Sequence, residues 1–260
     1  MNGLVKMYCY KMFRQKSLYI IWVLLIGFAF LSLPMAEEMT FSGLLCETGS
    51  FYVLFVSIFS AIFFSTDISS GFIKNYAGSV SDRSVIIMAR SLLVLIQNIL
   101  TMLVLVIADF FITRNIGDAK FSILFGICTF LAGMGCSFLA LLVTELTRKT
   151  VPAIILTITI GSGIMCNLLG TISVLLTNGH FVASDFLVTG MLEVLSGTHS
   201  QTDAVIVILM SCVYILISFI AGIISIKNVM WSENLPYTLF VHYTIPLLSY
   251  RQYPISSCNA

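Results

Sequence analysis

The chain has 260 residues, of which 58% are hydrophobic and 10% charged, with a mean hydropathy of +1.03. A soluble domain is about 45–50% apolar and about 25% charged, so this composition leaves too little polar surface for a water-soluble particle and reads as an integral membrane protein. The net charge of +1 supplies no basic face, which argues against nucleic acid as a partner.

The first seventeen residues carry Lys6, Lys11, Arg14 and Lys16 between Leu4, Met7, Tyr8, Met12 and Phe13. That pattern predicts a basic amphipathic helix lying in the membrane interface. A first span follows, roughly Leu18 to Met35, closed by Pro34 and then Glu37 and Glu38. A cleaved signal peptide is the competing reading, but the basic leader is long and the small-residue cleavage pattern is missing before Ala36. Further spans are expected at roughly Ser50–Thr66, Ser91–Thr113, Phe121–Thr144, Ala153–Leu176 and Ala204–Ile226. Each is close to the ~20 residues that cross ~30 Å of hydrocarbon. The expected fold is therefore all-α, a bundle of six transmembrane helices.

Between the fourth and fifth spans, residues 145–152 read as a short turn. Residues 177–203 suggest one or two short helices half-buried at the outer mouth, with Asp185 and Glu193 as their acids. Residues 1–230 form the membrane domain. The last thirty residues, 231–260, are too broken by proline to span and form a tail without an assigned role.

Charge fixes the orientation. With the N-terminus inside, eleven basic residues lie on the inner side and only Arg114 and Lys120 outside, which satisfies the positive-inside rule and makes both termini cytoplasmic. Small residues recur at helical spacing in Gly133/Ser137, Ala153/Thr157/Gly161 and Ser218/Gly222/Ser225. Such ridges serve packing within one bundle or a dimer face.

Catalytic and cofactor motifs are missing. The chain has no GxxxxGK[ST] phosphate loop, and LSGTHSQ at 195–201 is only a faint echo of a nucleotide-cassette signature. The seven cysteines form no CxxC pair; most fall in apolar runs, and only Cys46 is expected in an outer loop. The three histidines are far apart, and no Ser/His/Asp set or carboxylate pair shares a membrane depth. No cofactor or metal is expected on this chain. Asp109 is the one acid well inside an apolar run. It either snorkels to the outer headgroups or lines a substrate path. Gln97 and Asn98, nearer the middle of the same span, bond to neighbouring helices or meet cargo.

An island of charge interrupts the apolar pattern between the second and third spans: DISSGFIKNYAGSVSDRSVIIMAR, Asp67 to Arg90. No bilayer-spanning segment tolerates that charge, so the island belongs at a membrane surface. Phe72, Ile73 and Tyr76 give a short helix one apolar face. Asp67 ends the second span; Gly71, Lys74 and Asn75, Arg83 and finally Arg90 follow. This pattern resembles the permease subunits of type-2 ATP-binding-cassette exporters, and with the six-span layout and basic N-terminus the likeness covers roughly residues 1–230. Two departures stand out. Arg90 takes the place where lysine is usual, and Asp82 interrupts the usual small residue–arginine pair.

The resemblance implies a subunit that pairs with a second permease, identical or not, and docks on two cytoplasmic ATPase subunits. ATP and Mg would be bound by those partners and hydrolysed there, not by this chain. Residues 71–77 would form a coupling helix, with Phe72 and Tyr76 as anchors and Lys74, Asn75 and Arg83 as polar contacts. Asp67, Gly71 and Arg90 complete the coupling set. The spans hold few polar groups, which suits export of an amphipathic peptide or hydrophobic small molecule across a bacterial cell membrane. Two other classes remain: a non-transporting sensor or anchor, and an ion-coupled secondary transporter, which predicts broken helices with ionisable residues at mid-membrane.

Overall fold

The computed structural model describes residues 2–31, 40–70, 84–113, 118–147, 149–177, 187–198 and 200–233. All the regular structure among them is helical: α1 (Asn2–Arg14), α2 (Lys16–Leu31), α3 (Phe41–Ser69), α4 (Ser84–Thr113), α5 (Ala119–Thr147), α6 (Thr150–Gly161), α7 (Ile164–Thr177), α8 (Val188–Thr198) and α9 (Gln201–Glu233). The island residues 71–83, Arg114 and the tail from 234 lie outside the described residues.

Four of these helices, α3, α4, α5 and α9, are each long and apolar enough to cross a membrane. Two bent pairs bring the count to as many as six: α1 with α2, at 58°, and α6 with α7, at 63°. This fits a multi-pass membrane protein. At 1.5 Å per residue, the 30 residues of α4 extend roughly 45 Å, so the helix overshoots the hydrocarbon and carries Arg90 on its early turns.

Local chemistry sets several helix boundaries. Thr40 caps α3, its Oγ1 accepting from the Gly43 amide at 3.4 Å. Asp118 caps α5 by accepting from the amides of Lys120 and Phe121 at 3.0 and 3.4 Å. Pro152 is tolerated in the first turn of α6, where its missing N–H has no partner to lose. The α6–α7 break falls at Ser162 and Gly163, the latter at φ 74°, a left-handed conformation open to glycine.

Helices α3 and α5 form the centre, each with 61% of its span buried inside the protein, against 22% for α9. They approach closely because Gly133 on α5 faces Tyr52 on α3: a Cβ there would lie 2.5 Å from Tyr52 Cε1 and 3.1 Å from Asn98 Oδ1. Gly161 on α6 likewise leaves only 3.0 Å to the Leu54 backbone. Ala153, Thr157 and Gly161 are all buried, so this small-residue ridge packs within one chain.

Gly133→Ala should therefore force the Tyr52 ring aside and lower stability by about 1–3 kcal/mol. Gly27→Ala, where no atom lies within 4 Å of the new methyl, should be neutral or stabilising. Thermal melting of the two purified variants checks the contrast.

Several sequence expectations need correction. Helix α3 begins at Phe41, not near Ser50, so Cys46 is helical and half-buried rather than in a loop. Most of the turn expected over 145–152 is helical, since α5 continues to Thr147 and α6 begins at Thr150. The single fifth span is two helices. In the 177–203 segment one helix, α8, is described, with Val188, Met191, Leu192 and Leu195 buried.

Candidate functional site

Helix α1 has its apolar stripe, Leu4, Tyr8 and Met12, buried against the bundle, while Tyr10 and Phe13 are exposed. Of its basic residues, Lys6 and Arg14 point outward, as does Lys16 at the start of α2. Lys11 does not. Its Nζ lies 2.5 Å from Asp67 Oδ1, at the far end of α3, and 5.6 Å from the Phe63 ring centroid.

Asp67 is fully buried, and its second oxygen accepts from Arg90 Nη2 at 2.9 Å. Arg90, on α4, is 1% exposed. Its guanidinium uses three nitrogens in three directions: Nη2 to Asp67, Nη1 to Glu145 on the last turn of α5, and Nε donating to the Tyr8 hydroxyl at 3.3 Å. The Phe64 ring covers its face at 5.6 Å. Burial pushes the Tyr8 phenol up to about 12, with the Arg90 guanidinium opposing the rise and the Asp67 carboxylate adding to it, so Tyr8 stays a neutral hydroxyl at physiological pH.

Two cations and two anions thus meet at one point, and they join α1, α3, α4 and α5. A buried ion pair is not by itself a source of stability, because desolvation offsets the attraction. What the cluster fixes is position. Asp67 and Arg90 flank the island in sequence, and their direct bond brings its two ends together.

Further along, α4 presents a buried polar row to its neighbours. Gln97 accepts from Ser60 Oγ at 3.1 Å and donates to the Val56 carbonyl at 2.9 Å. Asn98 accepts from the Tyr52 hydroxyl at 3.0 Å and donates to the Val94 carbonyl and Ser137 Oγ at 2.9 and 3.4 Å. Thr101 accepts from Trp22 Nε1 of α2 at 3.3 Å. These bonds hold α2, α3, α4 and α5 together.

Asp109 lies at the opposite end of α4 from Arg90. The carboxylate does not reach outward to headgroups: it is fully buried, and Oδ2 lies 2.8 Å from Thr48 Oγ1. The snorkelling expectation fails because α3 begins nine residues earlier than expected and covers this face. Oδ1 has no hydrogen-bond partner among the described residues. Asp109→Asn keeps a group able to bond Thr48 and removes the buried acid, so it should fold as well as the parent. Thr48→Val strands the carboxyl entirely and should cost about 1–3 kcal/mol. Melting temperatures decide; if both variants match the parent, the pair has no structural weight.

Of the expected coupling residues, the structure brings Asp67 and Arg90 together, whereas Gly71, Phe72, Lys74, Asn75, Tyr76 and Arg83 lie outside the described residues. Gln97 and Asn98 share one stretch of α4, and Asp109 stands apart. Sequence reasoning missed Tyr8, Lys11 and Glu145. The one sequence signal for Lys11 is its place beside the Leu4–Tyr8–Met12 stripe; Glu145 lies within the turn expected over 145–152. No group of three or more His, Cys, Asp or Glu side chains that could hold a metal occurs among the described residues. No protein family matches the chain, and no curated protein matches it.

Proposed function

We propose that this chain is the membrane-spanning subunit of an ATP-driven exporter, in which the 71–83 island receives force from cytoplasmic ATPase partners. The observation that carries the reading is the Asp67–Arg90 bond at the base of the island, tied by Lys11 and Tyr8 to α1 and by Glu145 to α5. A segment pushed from outside moves a bundle as a unit only if it is joined to several helices at once. On this reading Asp67 and Arg90 are the joint behind the island, not contacts on its surface.

Six crossings are made by α2, α3, α4, α5, the bent α6–α7 pair and α9, with α1 in the inner interface and both termini cytoplasmic. Two ATPase subunits bind ATP and Mg, and a second permease completes the assembly. Gln97 and Asn98 are occupied by α3 and α5, which supports a path between two permeases rather than through one. An amphipathic peptide or hydrophobic small molecule suits such a path in a bacterial cell membrane.

The α6–α7 break favours a second reading, an ion-coupled carrier, since such carriers bind ions at interrupted helices. The Ile160 carbonyl at the break, however, already accepts from the Gly163 amide at 3.3 Å and from Thr189 Oγ1 at 3.1 Å, and Asp109 sits on a different helix. Reconstitution with a co-purified ATPase separates the readings. Cargo-stimulated ATP hydrolysis is expected. Uptake driven by an ion gradient without ATP would establish the carrier, and no transport by either route would leave an anchor.

A further inference from the structure

A narrow cleft lies between α4, α5 and α9, beside the buried charge cluster. Its walls are apolar, with Phe138, Leu141 and Phe219 prominent, but its polar lining is specific: Arg90, Glu145, Ser91 and Ser218. It is roomy enough for about one water molecule. The hydroxyls of Ser91 and Ser218 are both buried and have no hydrogen-bond partner among the described residues. Ser218 is 3% exposed. Serine in a helix ordinarily bonds back to a carbonyl one turn earlier, as Ser57 and Ser60 do here. These two seryl groups forgo that bond and line the same space.

Gly222 on α9 is an independent sign. It lines the cleft, yet a Cβ there would meet only Ile87 Cδ1, at 4.0 Å. Packing does not demand glycine at this point, and glycine inside a helix costs about 1 kcal/mol relative to alanine. Its effect is to keep the cleft open.

We propose that this cleft is a binding site for one ordered water, held by Ser91 and Ser218 beside the Arg90–Glu145 pair. An apolar cavity of this size stays empty, but a polar one offering two to four partners retains water. The charge balance gives the guest a task. Asp67 is paired with both Lys11 and Arg90, whereas Glu145 has Arg90 as its ionic partner and shares it with Asp67. A water donates a further hydrogen bond to Glu145 while satisfying the hydroxyls. The inference rests on packing and hydrogen bonding and does not depend on the exporter reading.

X-ray radiolytic footprinting of the full chain in lipid nanodiscs tests it, because radicals formed from a bound water oxidise the side chains it touches. Phe138, 5% exposed, should be oxidised several-fold faster than Phe59, which is buried elsewhere in the bundle. In Ser91→Ala/Ser218→Ala the Phe138 rate should fall to that of Phe59. Gly222→Ala, which narrows the cleft without removing a hydrogen-bonding group, should slow it as well and serves if the double variant does not fold. A Phe138 rate equal to that of Phe59 in the parent would mean a dry cleft or a lipid group in place of water, and overturns the proposal. So does fast oxidation of Phe138 that persists in a folded variant.

Discussion

Arg90→Met should be the most damaging single substitution in the described part of this protein. It removes a guanidinium that serves Tyr8, Asp67 and Glu145 at once, and it leaves Glu145 without its ionic partner and Asp67 with Lys11 alone. Removing one member of a buried ion pair typically costs 3–5 kcal/mol, a large share of the roughly 5–15 kcal/mol that holds an ordinary domain folded. The expected result is loss of most monodisperse protein and a sharply lower melting temperature in what remains. Arg90→Lys should fall between parent and methionine, because one ammonium cannot fork toward three partners. The decisive variant is compensated: Arg90→Met with Glu145→Gln removes the stranded carboxylate, leaves the Lys11–Asp67 pair intact and should recover much of the stability. If Arg90→Met alone is as stable as the parent, the cluster does not organise this end of the bundle. If the compensated variant folds but no longer links ATP hydrolysis to transport, the cluster is a joint for force and not only for folding.

The helices themselves were largely legible in the sequence, because a run of apolar residues long enough to cross lipid admits few other structures. Errors cluster where charge interrupts that signal. The expected second span starts at Ser50, although Thr40 is an available cap and Leu44 and Leu45 extend the apolar run to the true start of α3 at Phe41. Glu145 falls in the turn expected over 145–152. In the structure it turns inward, since Arg90 waits on the adjacent helix.

The site was legible only in halves. Asp67 and Arg90 stood out as charges at the ends of spans, but no periodicity says that two such charges face each other. The partners Lys11 and Tyr8 lie 56 and 82 residues from the groups they meet, and separations of that kind are set by tertiary packing alone. The α6–α7 break carries only a weak local signal, Gly161 and Gly163 around Ser162 in an apolar run, since glycine is frequent in unbroken spans too. Asp109 was misplaced for a compound reason: its burial follows from the length of α3, and that length had been underestimated.

The island between these halves carries the functional proposal, and its surface should matter for coupling and little for folding. Its two ends are joined by the Asp67–Arg90 pair, which ties them to the bundle. On that view Phe72 and Tyr76 anchor in a groove of the ATPase, while Lys74, Asn75 and Arg83 contribute polar contacts. Truncating an aromatic anchor costs about 2 kcal/mol when it is a hot spot, which corresponds to roughly 30-fold weaker association. Reversing a charge at the rim of such a contact costs a comparable amount when it leaves the partner's carboxylate facing another. Phe72→Ala, Tyr76→Ala and Lys74→Glu should therefore insert and accumulate as the parent does, in contrast to Arg90→Met. Each should reduce co-purification with the ATPase or separate its hydrolysis from transport. A solvated loop without a partner predicts normal transport from all three, and a loop folded against the bundle predicts loss of the protein itself. Any two of these variants that accumulate, bind the ATPase and transport at the parent's rate would remove the coupling role from the island and, with it, the main support for an ATP-driven exporter.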